Sequence, residues 1–185
     1  MDVLAHGLWG GMLAGWRKRF GLAFFFGVCP DLFSFGLWTV VRAAHGSFQR
    51  GKPPLSILPE WLDTLYSITH SLVIVAAVWA VLWWLNRELA VPFSAWIIHI
   101  LLDIPTHSHS FFPTPFLYPL SDFTVDGISW GRSWFMILNY SALLILAVFW
   151  IMARHRRRAK SSLRVQVQSP ATPVCPEGSS SSRSA

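Results

Sequence analysis

The stretch from Trp96 to Pro115, WIIHILLDIPTHSHSFFPTP, decides how the rest of the chain is read. Inside an otherwise lipid-soluble run it sets His99 and Asp103 four residues apart, with His107 four further on. A helix here sends His99 and Asp103 from one face, one turn above the other. An Asp at the centre of a spanning helix costs about 2.5 to 3.5 kcal/mol on insertion scales, so these residues call for a reason stronger than packing. Metal ligation supplies one. A hydrogen-bonded pair that fastens two helices, or a proton relay, is the alternative for His99 and Asp103.

Working outward, the composition is that of a membrane protein. Of 185 residues, 53% are hydrophobic and 13% charged, and eleven are tryptophans. Apolar segments run through most of the length, which predicts one integral membrane domain over residues 1–160 and no separate soluble domain. The net charge of +6 would suit a nucleic-acid binder if it were spread over the chain. Instead residues 1–153 are balanced, and the excess lies in Arg154, Arg156, Arg157, Arg158, Lys160, Arg164 and Arg183 against Glu177. A basic cluster directly after an apolar helix is the pattern of the positive-inside rule, so no nucleic-acid partner is expected. Cys29 and Cys175 are too far apart in sequence and character to suggest a disulfide framework or a Cys-based zinc site.

The segments around the central stretch predict an all-α polytopic bundle of about five transmembrane or partly embedded helices. Residues 3–16 form a short first helix, with glycines at 7, 10, 11 and 15 that let another helix approach closely. Residues 20–41 are long enough to span but carry Pro30-Asp31 in their middle, which presents the Asp at a kink. Residues 42–59 read as a loop. From Glu60 the chain becomes apolar again, uninterrupted from Ser71 to Leu85, with His70 in Thr-His-Ser where the helix would enter the bilayer. Val91 to Ile104 is the span holding His99 and Asp103; Pro105 then ends it and releases His107 into a long aromatic loop, 106–132. Ser133 to Ala153 is the clearest spanning helix. The Ser/Pro/Arg-rich residues 161–185 should form a disordered cytoplasmic tail.

Placing Arg154 to Lys160 in the cytoplasm puts the loops 42–59 and 105–132 outside, and Arg17-Lys18-Arg19 and the Arg87 turn inside. His6, Asp31, His70, His99, Asp103 and His107 then converge near the non-cytoplasmic face of a cell inner membrane. His and Asp are natural ligands for zinc, with an open position left for water. The set is large enough for one ion, or for two with added waters. His99, Asp103 and His70 are the expected catalytic core, and His6, Asp31 and His107 complete the expected metal set. Taken singly, Asp31 could instead cap the half-helix that follows it, and His70 could be an interfacial anchor. His45 and His155 are most simply solvated, and the tryptophans fit an interfacial belt.

The ordered motifs Asp2-x-x-x-His6, Cys29-Pro30-Asp31-Leu32, Thr69-His70-Ser71 and His99-Ile-Leu-Leu-Asp103 resemble the bacterial membrane-bound, metal-dependent hydrolase family, also described as inner-membrane-associated hydrolases. The resemblance covers roughly residues 1–150 and rests on motif order, since each motif is short. It implies hydrolysis, by metal-activated water, of an ester or phosphoester in a membrane lipid or lipid-linked substrate. The His-x-x-x-Asp step, preceded by a separate His, Asp and His, is also similar to the ligand order of zinc-dependent phospholipase C. That likeness implies His99 and Asp103 as ligands of a metal pair, with Asp31 and His70 contributing and His6 further out. A later His-x-x-x-Glu pair is missing, and His107, His109, Asp122 or Asp126 would have to substitute for it. Two other classes remain open at this point. One is a transporter or proton-relay protein using the same intramembrane His and Asp residues; the other is a scaffold acting through its basic tail.

Overall fold

The computed structural model describes residues 1–15, 19–48 and 53–168; Arg17, Lys18, Arg50, Lys52 and the tail from 169, with Cys175, lie outside the described residues. Every regular element among the described residues is helical. The chain runs through α1 (Val3–Ala14), α2 (Phe20–Asp31), a π-helical segment (Leu32–Gly36), α3 (Leu37–Ala44), α4 (Glu60–Thr69), α5 (Leu72–Leu85), α6 (Arg87–Thr106) and α7 (Ser133–Gln168). Three stretches are long and apolar enough to cross a membrane: Phe20–Ala44, Arg87–Thr106 and Ser133–Arg156. The pair α4 and α5, bent by 49° at a short break, is a fourth span if counted as one, and α1 is a shorter apolar helix. This is the polytopic all-α architecture the composition predicts.

Local chemistry sets the boundaries. Asp2 caps α1 by accepting from the Ala5 N–H at 3.0 Å, and Asn86 caps α6 through the Leu89 N–H at 3.2 Å. The Pro30 ring lacks the N–H that would have bonded one turn back, and the helix widens into the π segment directly after Asp31. The predicted kink at Pro30-Asp31 therefore takes the form of a π turn. The Ser34 hydroxyl stitches it by donating to the Pro30 carbonyl at 2.8 Å. Between Glu60 and Leu85 the chain breaks at His70-Ser71, the point where the apolar run begins. The Ser71 side chain accepts from the Ile74 N–H at 3.2 Å and so starts α5 anew. Helix α6 runs one residue past Pro105, which cannot donate to the Leu101 carbonyl one turn back, and ends at Thr106.

Close packing places α1 against α2 and α6. A Cβ at Gly10 would lie 2.8 Å from the Ala95 side chain, and one at Gly27 would lie 2.7 Å from the His6 carbonyl. Small residues are what allow helices to touch in a bilayer, where lipid is as apolar as a side chain. Arg19 pairs with Glu88, joining at one end of the bundle the two turns that charge placed on one side of the membrane. Around α7, Leu143 packs with Met1, Ala5 and Met12, while Val75, Phe93 and Ile100 form a second cluster between α5 and α6.

At the other end, the loop after α6 folds back over the bundle. The amides of Gly127, Ile128 and Trp130 donate to the carbonyls of His107, Pro105 and Thr106 at 2.8, 2.9 and 3.1 Å. A side chain at Gly127 would overlap the Pro105 carbonyl, so glycine is required for this approach. The Leu72 N–H donates to Phe116 at 2.9 Å, and the Ser71 hydroxyl donates to the Tyr118 carbonyl, so the loop also covers the break between α4 and α5. Among the described residues, 151–168 belong to a second unit and are helical through Gln168. Helix thus extends eight residues into the segment whose composition favours disorder.

Candidate metal centre

Four side chains from three elements meet at the centre of the bundle. Asp31 comes from the end of α2, His70 from the break between α4 and α5, and His99 and Asp103 from one face of α6. Each offers one ligand atom within 4.8 Å of the others'. His70, His99 and Asp103 are buried, and Asp31 is nearly so. The break at His70 has a consequence here. His70 is the residue after α4, and its buried ring faces His99.

The imidazoles are oriented by backbone carbonyls. His99 Nδ1 lies 2.7 Å from the Gly27 carbonyl, and His70 Nδ1 lies 3.1 Å from the Tyr66 carbonyl. A carbonyl oxygen only accepts, so each Nδ1 carries the proton, and in the neutral ring each Nε2 is left with a bare lone pair. Those two Nε2 atoms face each other at 3.2 Å. Asp103 Oδ2 adds a further acceptor 3.1 Å from His99 Nε2 and 3.7 Å from His70 Nε2, and Asp31 Oδ1 lies 3.7 and 3.9 Å from the two nitrogens. Asp31 Oδ2 and Asp103 Oδ2 are buried without a hydrogen-bond partner.

A convergence of acceptors with no donor among them is unfavourable by itself and is what a cation resolves. The spacing agrees. Four ligands at zinc-like bond lengths of 2.0–2.2 Å form a tetrahedron with edges of about 3.3–3.6 Å, inside the spread of these separations. A second N–H given to a backbone carbonyl is also the usual support for a metal-ligating His, fixing both tautomer and ring orientation. The group can hold a metal ion.

Asp103 also faces the other way. Its Oδ1 lies 3.0 Å from His6 Nε2 and 3.2 Å from His107 Nδ1, and it accepts from the Met1 amine at 2.8 Å. The His6 ring lies tilted against His99 with centroids 3.6 Å apart, and its Nδ1 is buried without a hydrogen-bond partner. His6 and His107 thus sit outside the group of four but against its shared carboxylate. His107 does not swing free into the loop, because its backbone N–H donates to the Asp103 carbonyl at 3.0 Å and holds it on the helix end.

The remaining sequence candidates lie elsewhere. His109 donates its backbone N–H to Asp126 at 2.8 Å and contacts Thr124 at 3.1 Å. With Asp122, Glu60 and Asp63 it lines a cavity of about 720 Å3 between the start of α4 and the covering loop. None of the residues suggested in place of a His-x-x-x-Glu pair, apart from His107, reaches the centre. Sequence reasoning missed Gly27 and Tyr66, which act through their carbonyls. Tyr66 also stacks on His70 at 3.9 Å and donates its hydroxyl to the Phe112 carbonyl at 3.2 Å. A main-chain acceptor leaves no trace in residue type. The break at His70 did leave one, a Ser directly before an uninterrupted apolar run, which is an N-cap pattern.

No protein-family model, no curated protein and no solved structure matches the chain.

Proposed function

We propose that the protein is a membrane-embedded, metal-dependent hydrolase that cleaves an ester or phosphoester of a lipid-like substrate, in keeping with the family its motifs resemble. The observation that carries the proposal is the meeting of two bare imidazole nitrogens with two buried carboxylates, each imidazole fixed by a main-chain carbonyl. Zinc suits the two-nitrogen, two-oxygen donor set. With all four side chains bound, a water would enter as a fifth ligand, and the cation would lower its pKa toward ~7 and polarise a phosphoryl oxygen. His70, His99, Asp31 and Asp103 Oδ2 would hold one ion. His6, His107 and Asp103 Oδ1 would hold a second, with Asp103 between them, and a pair of ions suits phosphoester cleavage because both attacking and leaving oxygens can be clamped.

The cavity lies on the α4 face one turn before His70, where Ser67 forms part of its wall. Glu60, Asp63 and Asp122, together with Phe112 and Tyr118, favour a polar, cation-bearing headgroup over an anionic one. Pairing of Arg19 with Glu88 supports an inside end opposite this loop, hence a site near the non-cytoplasmic face of the inner membrane and a cytoplasmic C-terminus.

The test is metal analysis of the detergent-purified protein beside His99→Ala and Asp103→Ala, followed by a phospholipid hydrolysis panel. Wild type should carry stoichiometric divalent metal and release a headgroup or acyl chain; a metal-free wild type sinks the proposal. One observation favours a second reading. The bent α4–α5 pair places a broken helix at the ionisable cluster, as transporters do. Metal-independent cation flux in proteoliposomes, with no hydrolysis, is the outcome that would select it.

A further inference from the structure

From Ser133 to Ala153, α7 is almost wholly apolar, and Asn139 and Tyr140 are two of the few residues there with polar groups. Both direct those groups at α1. The Trp9 indole N–H donates to Asn139 Oδ1 at 2.9 Å, and the Tyr140 hydroxyl donates to Asp2 Oδ1 at 3.0 Å. Asp2 and Trp9 lie four residues before and three after His6, positions that share one flank of a helix. Leu143, 3% exposed, packs among Met1, Ala5 and Met12 along the same helix.

Stability alone does not explain Asn139. It is 8% exposed, and its Nδ2 is buried without a partner, a cost that a leucine in this apolar setting would not carry. Its one satisfied bond holds the helix that carries His6. Helix α1 has only 12 residues, so its axial position and rotation depend on neighbours. A one-residue slip moves a side chain 1.5 Å along the axis and turns it by about 100°. His6 Nε2, now 3.0 Å from Asp103 Oδ1, would then be out of reach of a shared ion.

We infer that Asn139 and Tyr140 are positioning residues, which set the register of α1 and thereby place His6 at the second ion. This rests on the two-ion reading proposed above. The ion held by Asp31, His70 and His99 lies on the far side of Asp103 and depends on α2, α5 and α6 instead.

The test is a metal titration of the full chain, using zinc with a chromophoric competitor and cobalt for the ligand-field spectrum. Wild type should bind two ions per chain. The double variant Asn139→Leu/Tyr140→Phe should lose about 10- to 100-fold in affinity for the second ion, the loss typical when a ligand's supporting contact is removed, and less than about twofold for the first. Asn139→Gln, which keeps an amide oxygen, should restore part of the loss, and Ser141→Ala on the same helix should change neither ion. If the double variant does not fold, Trp9→Phe removes the indole N–H while keeping an aromatic ring and should give the same split. Equal weakening of both ions, or of neither, overturns the inference. A wild type holding one ion overturns it while leaving the hydrolase reading intact, and a metal-free wild type overturns both.

Discussion

Helices α6 and α7 are both apolar enough to cross a bilayer, yet 44% of one span and 11% of the other is buried inside the protein. Both carry polar residues within the apolar span. In α6 these are His99 and Asp103, each with several polar neighbours; in α7 they are Asn139 and Tyr140, each with one bond to α1. The rest of α7 presents Ile137, Leu144 and Ile145, at 67, 66 and 70% exposure, where lipid would be. Apolarity makes a helix compatible with a bilayer. How much of it the protein covers depends on what its polar residues have to reach.

Four substitutions test that contrast, in falling order of effect. Asp103→Ala removes the carboxylate shared by both sides of the centre and leaves His6, His70, His99 and His107 facing one another. Bound metal should drop to background, with affinity down by more than the ~100-fold seen for supporting contacts, read by metal analysis. Ile100→Ala, at a fully buried position of α6, should destabilise by roughly 1–3 kcal/mol in a reversible detergent or bicelle unfolding titration. This is the lower part of the usual range, because the unfolded segment remains in lipid and only cavity and packing are lost.

Ser71→Ala removes both the α5 cap and the bond to the Tyr118 carbonyl. It should cost about 1 kcal/mol by the same titration and weaken metal binding without abolishing it. Ile145→Ala, on the exposed face of α7, should stay within ~0.5 kcal/mol of wild type. An Ile145→Ala effect equal to that of Ile100→Ala would mean that the face of α7 is covered by protein, and the contrast with α6 would fall. Acid supplies an independent check on the centre. Imidazoles must be unprotonated to ligate, so bound metal should be released as pH falls through the range where His takes up a proton, and recovered on return to neutrality.

Much of this molecule was readable in its residues. The His99 and Asp103 pair, the Pro30-Asp31 kink and the near-continuous apolar runs follow from spacing and composition, since a polar group in lipid is costly wherever it stands. The convergence of His6 and His70 on the same point was legible only through a topology drawn from charge. The offset of His70 by a helix break was legible only in Ser71, an N-cap residue before an uninterrupted apolar run, since the rest of Thr-His-Ser suits a continuous helix and a broken one alike. The Ser71 hydroxyl decides between them by capping α5 and reaching Tyr118, a residue 47 positions away.

By itself the sequence determined that the chain is helical, suited to a membrane and burdened with His and Asp at depths where they need partners. Only the tertiary structure decided which nitrogen of each imidazole faces inward, that Asp103 has imidazoles on both sides, and that His109, Asp122 and Asp126 stand apart. The reason is physical. Periodicity and transfer cost are local properties of residue types, whereas ring orientation depends on main-chain carbonyls of Gly27 and Tyr66, brought there by helices packed across long stretches of chain.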